Sequence, residues 1–359
     1  MTKNEMQPKS EQPFQSQSPT TDENFVTRFL DHVLKTGDPV SFPGLSTTRP
    51  PEGADFFWRT GVIIVPVHRS EHGAMVVCPW CSPTTPKFKR GRLCFFPAEA
   101  IHRFVGRQCA KSHLDSDSIR EADKRWAREQ EKIRCINFLR ENCIRVEALL
   151  RSAEALKGIA TACDRFYAKF SRDSSEVHAD LARYVRDGRL HVDQALGAGA
   201  RRQGQSSISV LIGVLDGVRV FKSKPTLEKR LAVARAQLES ISSAAHRARF
   251  GELSHLDDRE RYVLQVMIQE AHKALSRIVR VIEEFQLFMR PKNIALLNEW
   301  CGHKNSDVHS SDIALVLNGS RLRISYSVNG NRCTTSVLAD DAMFERPPFI
   351  DALRSGSNQ

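Results

Sequence analysis

Apolar positions recur at alternating three- and four-residue intervals over three long stretches, a spacing that predicts helices with one continuous buried stripe. The first seam is Ile136, Leu139, Cys143, Val146, Leu150 and Ala153, continued by Leu156, Ala160, Cys163, Tyr167 and Phe170. Its seven-residue register slips by one between Ala153 and Leu156, beside Gly158, in the manner of a stammer. Read as one helix over 118–170, this stretch would span about 75–80 Å at about 1.5 Å per residue. The second seam is Leu227, Leu231, Ala234, Leu238, Ile241 and Ala245, opened by Pro225-Thr226 and closed by Phe250-Gly251. The third is Leu264, Ile268, Ala271, Leu275, Ile278, Ile282, Phe285 and Met289, stopped by Pro291. Two seams of matched period joined by a short turn predict an antiparallel hairpin, and with the first helix a bundle or stalk. Seams this long need cover, from one another, from a second copy in a homodimer, or from a protein partner.

Elsewhere the period shortens to two. Ala314–Leu317, Leu322–Val328 and Thr334–Leu338, separated by Asn318-Gly319 and Asn329-Gly330, predict a three-stranded meander. Val62–Val65 and Met75–Val77 predict two short strands on either side of a polar turn. Near the start, Thr20 and Glu23 have capping-box spacing. Phe25, Phe29, Leu30, Val33 and Leu34 then give one apolar face, and Gly37 closes the helix. Ile208–Phe221 is an apolar stretch broken by Gly213, Asp216 and Gly217, and is compatible with a strand pair or a buried helix. The fold class is therefore mostly α with small β parts: a finger-like module, a long antiparallel coiled-coil or helical bundle, and a C-terminal β-meander. The boundaries are a disordered tail over 1–20, an N-terminal region over 21–117 and the long helix over 118–170. A linker with the ambiguous apolar segment follows over 171–224, then the helical hairpin over 225–290, the meander over 291–345 and a tail over 346–359.

Composition adds compartment and charge. Of 359 residues 41% are hydrophobic and 26% charged, values ordinary for a soluble protein. Nine cysteines, an odd number with several inside helical stretches, fit a reducing, cytoplasmic compartment rather than a disulfide scaffold. The N-terminal stretch has no apolar signal-peptide region, and no run approaches 18 uninterrupted apolar residues, so no membrane span is expected. The net charge of +11 favours polyanionic partners.

The residues with most chemistry are Cys78-Pro79-Trp80-Cys81 and, later, Cys109-Ala110-Lys111-Ser112-His113. A Cys-x2-Cys turn brings two thiolates to one metal, and Cys109 and His113 share a helical face. Cys78, Cys81, Cys109 and His113 would make a closed tetrahedral zinc site of the structural type, with Cys94 or His102 as alternative fourth ligands. Between the pairs, Gly91–Phe96 and Ile101–Val105 predict a hairpin. Ordinary buried thiols are the alternative.

Knuckle, hairpin and helix in that order resemble a treble-clef finger. The ending Val105-Gly106-Arg107-Gln108-Cys109-Ala110-Lys111-Ser112-His113 resembles zinc modules of phage and mobile-element proteins. Ser82 stands where that pattern has glycine, and the 27 residues between Cys81 and Cys109 make a long gap. The resemblance covers about a tenth of the chain and implies structural zinc, not catalysis.

The same segment holds Lys87, Lys89, Arg90, Arg92, Arg103, Arg107 and Lys111 against the single carboxylate of Glu99. Trp80, Phe88, Phe95, Phe96 and Phe104 are interleaved. Such a surface suits DNA or RNA, by phosphate contact and base stacking, unless the rings are simply a small core. Other signals are thin. Gly199–Ser206 nearly matches a phosphate-binding loop, but Gln205 replaces its lysine and no apolar strand precedes it. Cys301-Gly302-His303, with His309 beyond, is expected to be loop. The expected function is a non-enzymatic zinc-binding coiled-coil protein that contacts nucleic acid. The alternative is a protein–protein adaptor in which zinc is purely structural, and a third reading is an enzyme whose site draws on 38–75 and 186–224.

Overall fold

The computed structural model describes residues 23–66, 75–78, 82–175, 178–179, 182, 188–195, 207–221, 226–249, 252–303, 314–328 and 331–353. The expected disordered tail, the Thr20 capping box and the Gly199–Ser206 loop lie outside these residues. The chain divides into two compact units, Met1–Glu131 and Lys132–Gln359. Small antiparallel sheets accompany a mostly helical architecture, and no helix among the described residues is long and apolar enough to cross a membrane.

The first unit opens with helix α1, Glu23–Thr36. Gly37 ends it at φ +69°, donating its N–H to the Val33 carbonyl at 2.9 Å, a left-handed closure that glycine enters without strain. Strands β1 (Phe57–Trp58) and β2 (Ile63–Ile64) follow, then β3 (Val76–Cys78), β4 (Ser82–Phe88), β5 (Arg90–Phe96) and β6 (Ile101–Gly106). β1 and β2 run in succession along one edge of β5, and β6 pairs with the other edge. β3 pairs with β4 instead of β2, so the two short strands expected around a polar turn belong to different sheets. Helix α2 (Arg107–His113) leaves directly from β6. Period-two alternation gives the sheet two apolar faces. Leu93 and Phe104 face one cluster with Phe29, Val33 and Phe42. Cys94, Phe96 and Val105 face the other, with Phe56, Trp58, Cys78, Cys109 and Ala110.

Helix α3 spans Ser116–Asn142 and α4 spans Val146–Asp173, separated by a 3-10 turn at Cys143–Arg145. The single helix expected over 118–170 is therefore two. The irregularity is at 143–145, not beside Gly158, which lies within α4. Asn142 explains the site of the break. Fully buried, it turns its Nδ2 back to the Phe138 carbonyl at 2.8 Å, and its φ of −114° departs from the helical value.

In the second unit α4 packs with α5 (Leu227–Arg249) and α6 (Asp258–Phe288). The Arg235–Glu154 ion pair at 2.6 Å and the Asp164 bonds to the amides of Leu227 and Glu228 place α5 antiparallel to α4. Phe166 against Phe285 at 6.3 Å places α6 parallel to α4. Asp257 and Glu260 form a reciprocal capping box at the start of α6. Every residue expected in the second and third seams is buried, and they close on one another and on α4 within a single chain. The expectation that these seams offer a surface to a second copy or a protein partner is corrected accordingly.

Two elements depart from the sequence reading. β7 (Arg189–Ala195) occupies what reads as linker and pairs with β8 (Ser207–Val214), so Ile208–Phe221 is a strand followed by a 3-10 turn at Val218–Phe221. Gly217 in the connection, at φ +74°, lies so close to the backbone of Glu284 and Phe288 that a Cβ would collide with both. Helix α7 (Pro291–Gly302) replaces an expected loop. Pro291 is its first residue, and Trp300 and Cys301 are buried in it. The meander β9 (Ala314–Asn318), β10 (Arg321–Val328) and β11 (Asn331–Leu338) pairs in sequential order, with Gly319-Ser320 as the first two-residue turn.

Candidate nucleic-acid and metal site

Register places the cationic side chains. Gly91 and Gly106 are direct partners across β5 and β6, and Phe88 lies over both, within 2.7 Å of where either Cβ would be. This glycine pair, covered by the Phe88 ring and at Gly91 also by Phe104, lies where the start of β5 meets the end of β6 and the start of α2. Lys87, Lys89 and Arg90 lie on one side of it and Arg107 on the other, with Lys111 one helical turn further on. All five are exposed, and none forms an ion pair among the described residues.

The other two expected phosphate contacts are structural. Arg103 is fully buried, and its guanidinium donates to Glu99 at 2.6 and 3.0 Å and to the Thr48 carbonyl at 2.8 Å. It also lies over the Phe96 ring at 4.8 Å. That bond to Arg103 holds the Glu99 carboxyl below its usual range. Arg92 is sandwiched on the same face, 4.3 Å from Trp58 and 5.6 Å from Trp126, and bonded to Asp123 and the Thr60 carbonyl. A guanidinium engaged on all sides inside a fold cannot reach a phosphate. The rings have the same fate: Phe95, Phe96 and Phe104 are buried and Phe88 is half-buried, so none is a stacking platform. Trp80 lies outside the described residues.

Of the metal-site residues, Cys78 ends β3 and Cys109 sits in the first turn of α2, and both are buried in one apolar cluster. His113, the last residue of α2, is exposed, and Cys81 lies outside the described residues. Among the described residues no three His, Cys, Asp or Glu side chains are gathered so as to hold a metal. The donor chemistry of Cys78 and Cys109 nevertheless fits zinc: two thiols brought from distant elements into one dry cluster. Of the alternative fourth ligands, Cys94 shares that cluster, where burial pushes its thiol well up. His102 is corrected. It lies on the opposite face of the sheet, its ring stacked on Phe25 at 4.1 Å, and cannot join a site containing Cys109.

One nucleophile–imidazole contact is invisible in the sequence. His32 Nε2 lies 2.9 Å from Ser41 Oγ, but also 3.1 Å from the Asp38 carbonyl, which accepts from Ser41 Oγ as well. A carbonyl only accepts, so Nε2 carries its proton and has no lone pair for deprotonating Ser41. The group closes a turn and does not activate a nucleophile. In the second unit a cleft of about 440 Å³ lies between the 3-10 turn and the end of α5, lined by Cys143, Glu147, Ser242, His246 and Arg247 among others. Cys143 is a poor nucleophile there, because burial and then Cys135 push its thiol up to about 12.

Comparison with known proteins finds no family model, no curated protein and no solved structure that matches the chain.

Proposed function

We propose that the chain is a non-enzymatic zinc-binding protein whose first unit contacts DNA or RNA through Lys87, Lys89, Arg90, Arg107 and Lys111. The observation that carries the reading is that these five cations are all exposed and form no ion pair among the described residues, with Arg90 and Arg107 next in the chain to the paired Gly91 and Gly106. Cations on a surface with no carboxylate paired to them suit a phosphate backbone. The neighbouring rings belong to the core, so the contact is electrostatic and weakly sequence-dependent. Zinc held by Cys78, Cys81, Cys109 and His113 would tie the β3–β4 turn to α2 and so fix Arg107 and Lys111 relative to Lys87–Arg90. Its binding would then be part of the folding energy of this unit.

Fluorescence anisotropy with labelled single- and double-stranded oligonucleotides over a salt series tests the contact. Up to five phosphate contacts give a slope of log K against log salt of about −3.5 for single strands and about −4.5 for duplex. Lys89→Glu with Arg107→Glu should weaken binding at least tenfold. Salt-insensitive binding, or none, would sink this reading and leave the adaptor. Metal analysis of protein prepared without chelator tests zinc: about one ion per chain, lost in Cys78→Ser and in Cys109→Ser, is expected.

A further inference from the structure

The segment 345–353 forms no helix or strand, yet the bundle grips the chain here by its main-chain carbonyls. Gln286 Nε2 donates to the carbonyls of Met343 at 2.9 Å and Glu345 at 2.8 Å. His272 Nε2 lies 3.0 Å from the Asp351 carbonyl, and Arg145 Nη1 lies 2.6 Å from that of Ala352. Gln286 and His272 are separated by about 21 Å of helix axis at about 1.5 Å per residue. From Glu345 to Asp351 an extended chain at about 3.1 Å per residue covers about 19 Å. The agreement means that the segment runs straight along α6 and antiparallel to it.

Its burial follows suit. Pro347, Pro348, Ile350 and Leu353 are half-buried, while Arg346, Phe349, Asp351 and Ala352 are exposed. Pro347-Pro348 favours the extended polyproline II conformation. Ile350 and Leu353 rest against the bundle core, whereas Phe349, the largest apolar side chain of the segment, is 85% exposed. No backbone N–H from 346 to 353 donates a hydrogen bond among the described residues. The segment can therefore leave without breaking any ladder.

We propose that the trough along α6, with Arg145, His272 and Gln286 as its carbonyl donors, is a recognition groove for an extended peptide. Its resident ligand is the chain's own segment 344–353, held in place and displaceable. Carbonyl recognition fixes the direction and extension of the ligand, and the apolar residues at 350 and 353 fix its register. The same segment of a second copy meets the same requirements. This inference does not depend on the nucleic-acid reading, which concerns the other unit.

The test uses the full chain carrying Ile350→Asp and Leu353→Asp, which frees the segment without altering the groove. The probe is a fluorescein-labelled peptide with the native sequence of 343–354, read by anisotropy. Saturable binding to this variant is expected, at least tenfold tighter than to the native chain, whose groove is filled. Adding Arg145→Ala and Gln286→Ala should weaken it at least tenfold. A second measurement needs no variant: unlabelled peptide at low millimolar concentration should speed chymotryptic cleavage of the native chain at Phe349 several-fold, and a scrambled peptide should not. Absence of binding by a variant with native circular dichroism, or cleavage indifferent to the peptide, overturns the proposal.

Discussion

The imidazole of His102 is 7% exposed, lies nearly parallel to the Phe25 ring, and among the described residues has no hydrogen-bond partner for Nε2. Burial, and then the charge of Arg59, lower its pKa to about 4. An unfolded chain binds this proton at about 6.5, so between pH 6.5 and 4 the unfolded state holds more protons than the folded one. Stability from this residue is complete above pH 6.5 and is lost as pH falls towards 4, by at most about 3 kcal/mol. Carboxylates titrate in the same window, so the informative quantity is a difference. His102→Phe keeps an aromatic ring against Phe25 and removes the proton site. Urea unfolding at pH 7 and pH 4.5 should show the native protein losing more stability than the variant; equal losses would refute the account. Arg103 gives the opposite lesson at the same scale. Its strand position put it on the inward face with Val105, and Glu99 four residues earlier supplied the charge that makes burial tolerable. Reading the segment as a sum of charges hid both facts, because charge counts carry no strand parity.

Elements were legible where one period ran long enough to average out exceptions. The seams of α5 and α6 bury every expected position because each helix faces its neighbours with one stripe. α4 is different. Leu149, Ile159, Ala162 and Phe166 are buried besides most of the expected seam, because α4 lies against α5, α6 and the meander at once. A single stripe underestimates such a helix. The break before it was illegible because it depends on one side chain, Asn142, choosing a carbonyl over solvent. β7 was missed because its apolar positions, Leu190 and Val192, are too few to register as alternation. In the candidate site the cation positions and the β5–β6 hairpin were legible, whereas the separation of His102 from Cys109 by a sheet was not. One element boundary is made by another element. The Asp164 carboxylate of α4 accepts from the first amides of α5, Leu227 at 3.2 Å and Glu228 at 3.0 Å. It does the work of an N-cap from outside the helix, and its charge also suits the positive end of the helix dipole. Asp164→Ala should therefore destabilise the second unit by about 1 kcal/mol, and Asp164→Asn by less, since the amide oxygen still accepts. Hydrogen exchange at the first turn of α5 is the sensitive readout, and unchanged protection in Asp164→Ala would count against the cap.

At the scale of the whole chain the decisive fact is where the long apolar seams go. Helices with such seams have two ways to hide them, against each other in one chain or across a two-fold axis in a dimer. Here α4, α5 and α6 cover one another. Leu238, Ala271 and Leu275 are fully buried without any second copy. On this arrangement the bundle is expected to fold as a single chain, with a stability independent of protein concentration. Leu275→Ala separates the two arrangements. Leu275 sits in mid-seam, so truncation leaves a cavity that a closed bundle fills poorly, at a cost of about 2–5 kcal/mol. The urea midpoint of native and variant protein, followed by helical circular dichroism, should be the same at two concentrations a hundredfold apart. The gap between native and variant should be the same at both concentrations. A midpoint that climbs with concentration would mean that the seams also meet across chains, and would return the second copy to the architecture of the bundle itself. If the midpoint stays fixed, association of two copies would have to use surfaces outside the seams, of which the carbonyl-lined trough on α6 is one.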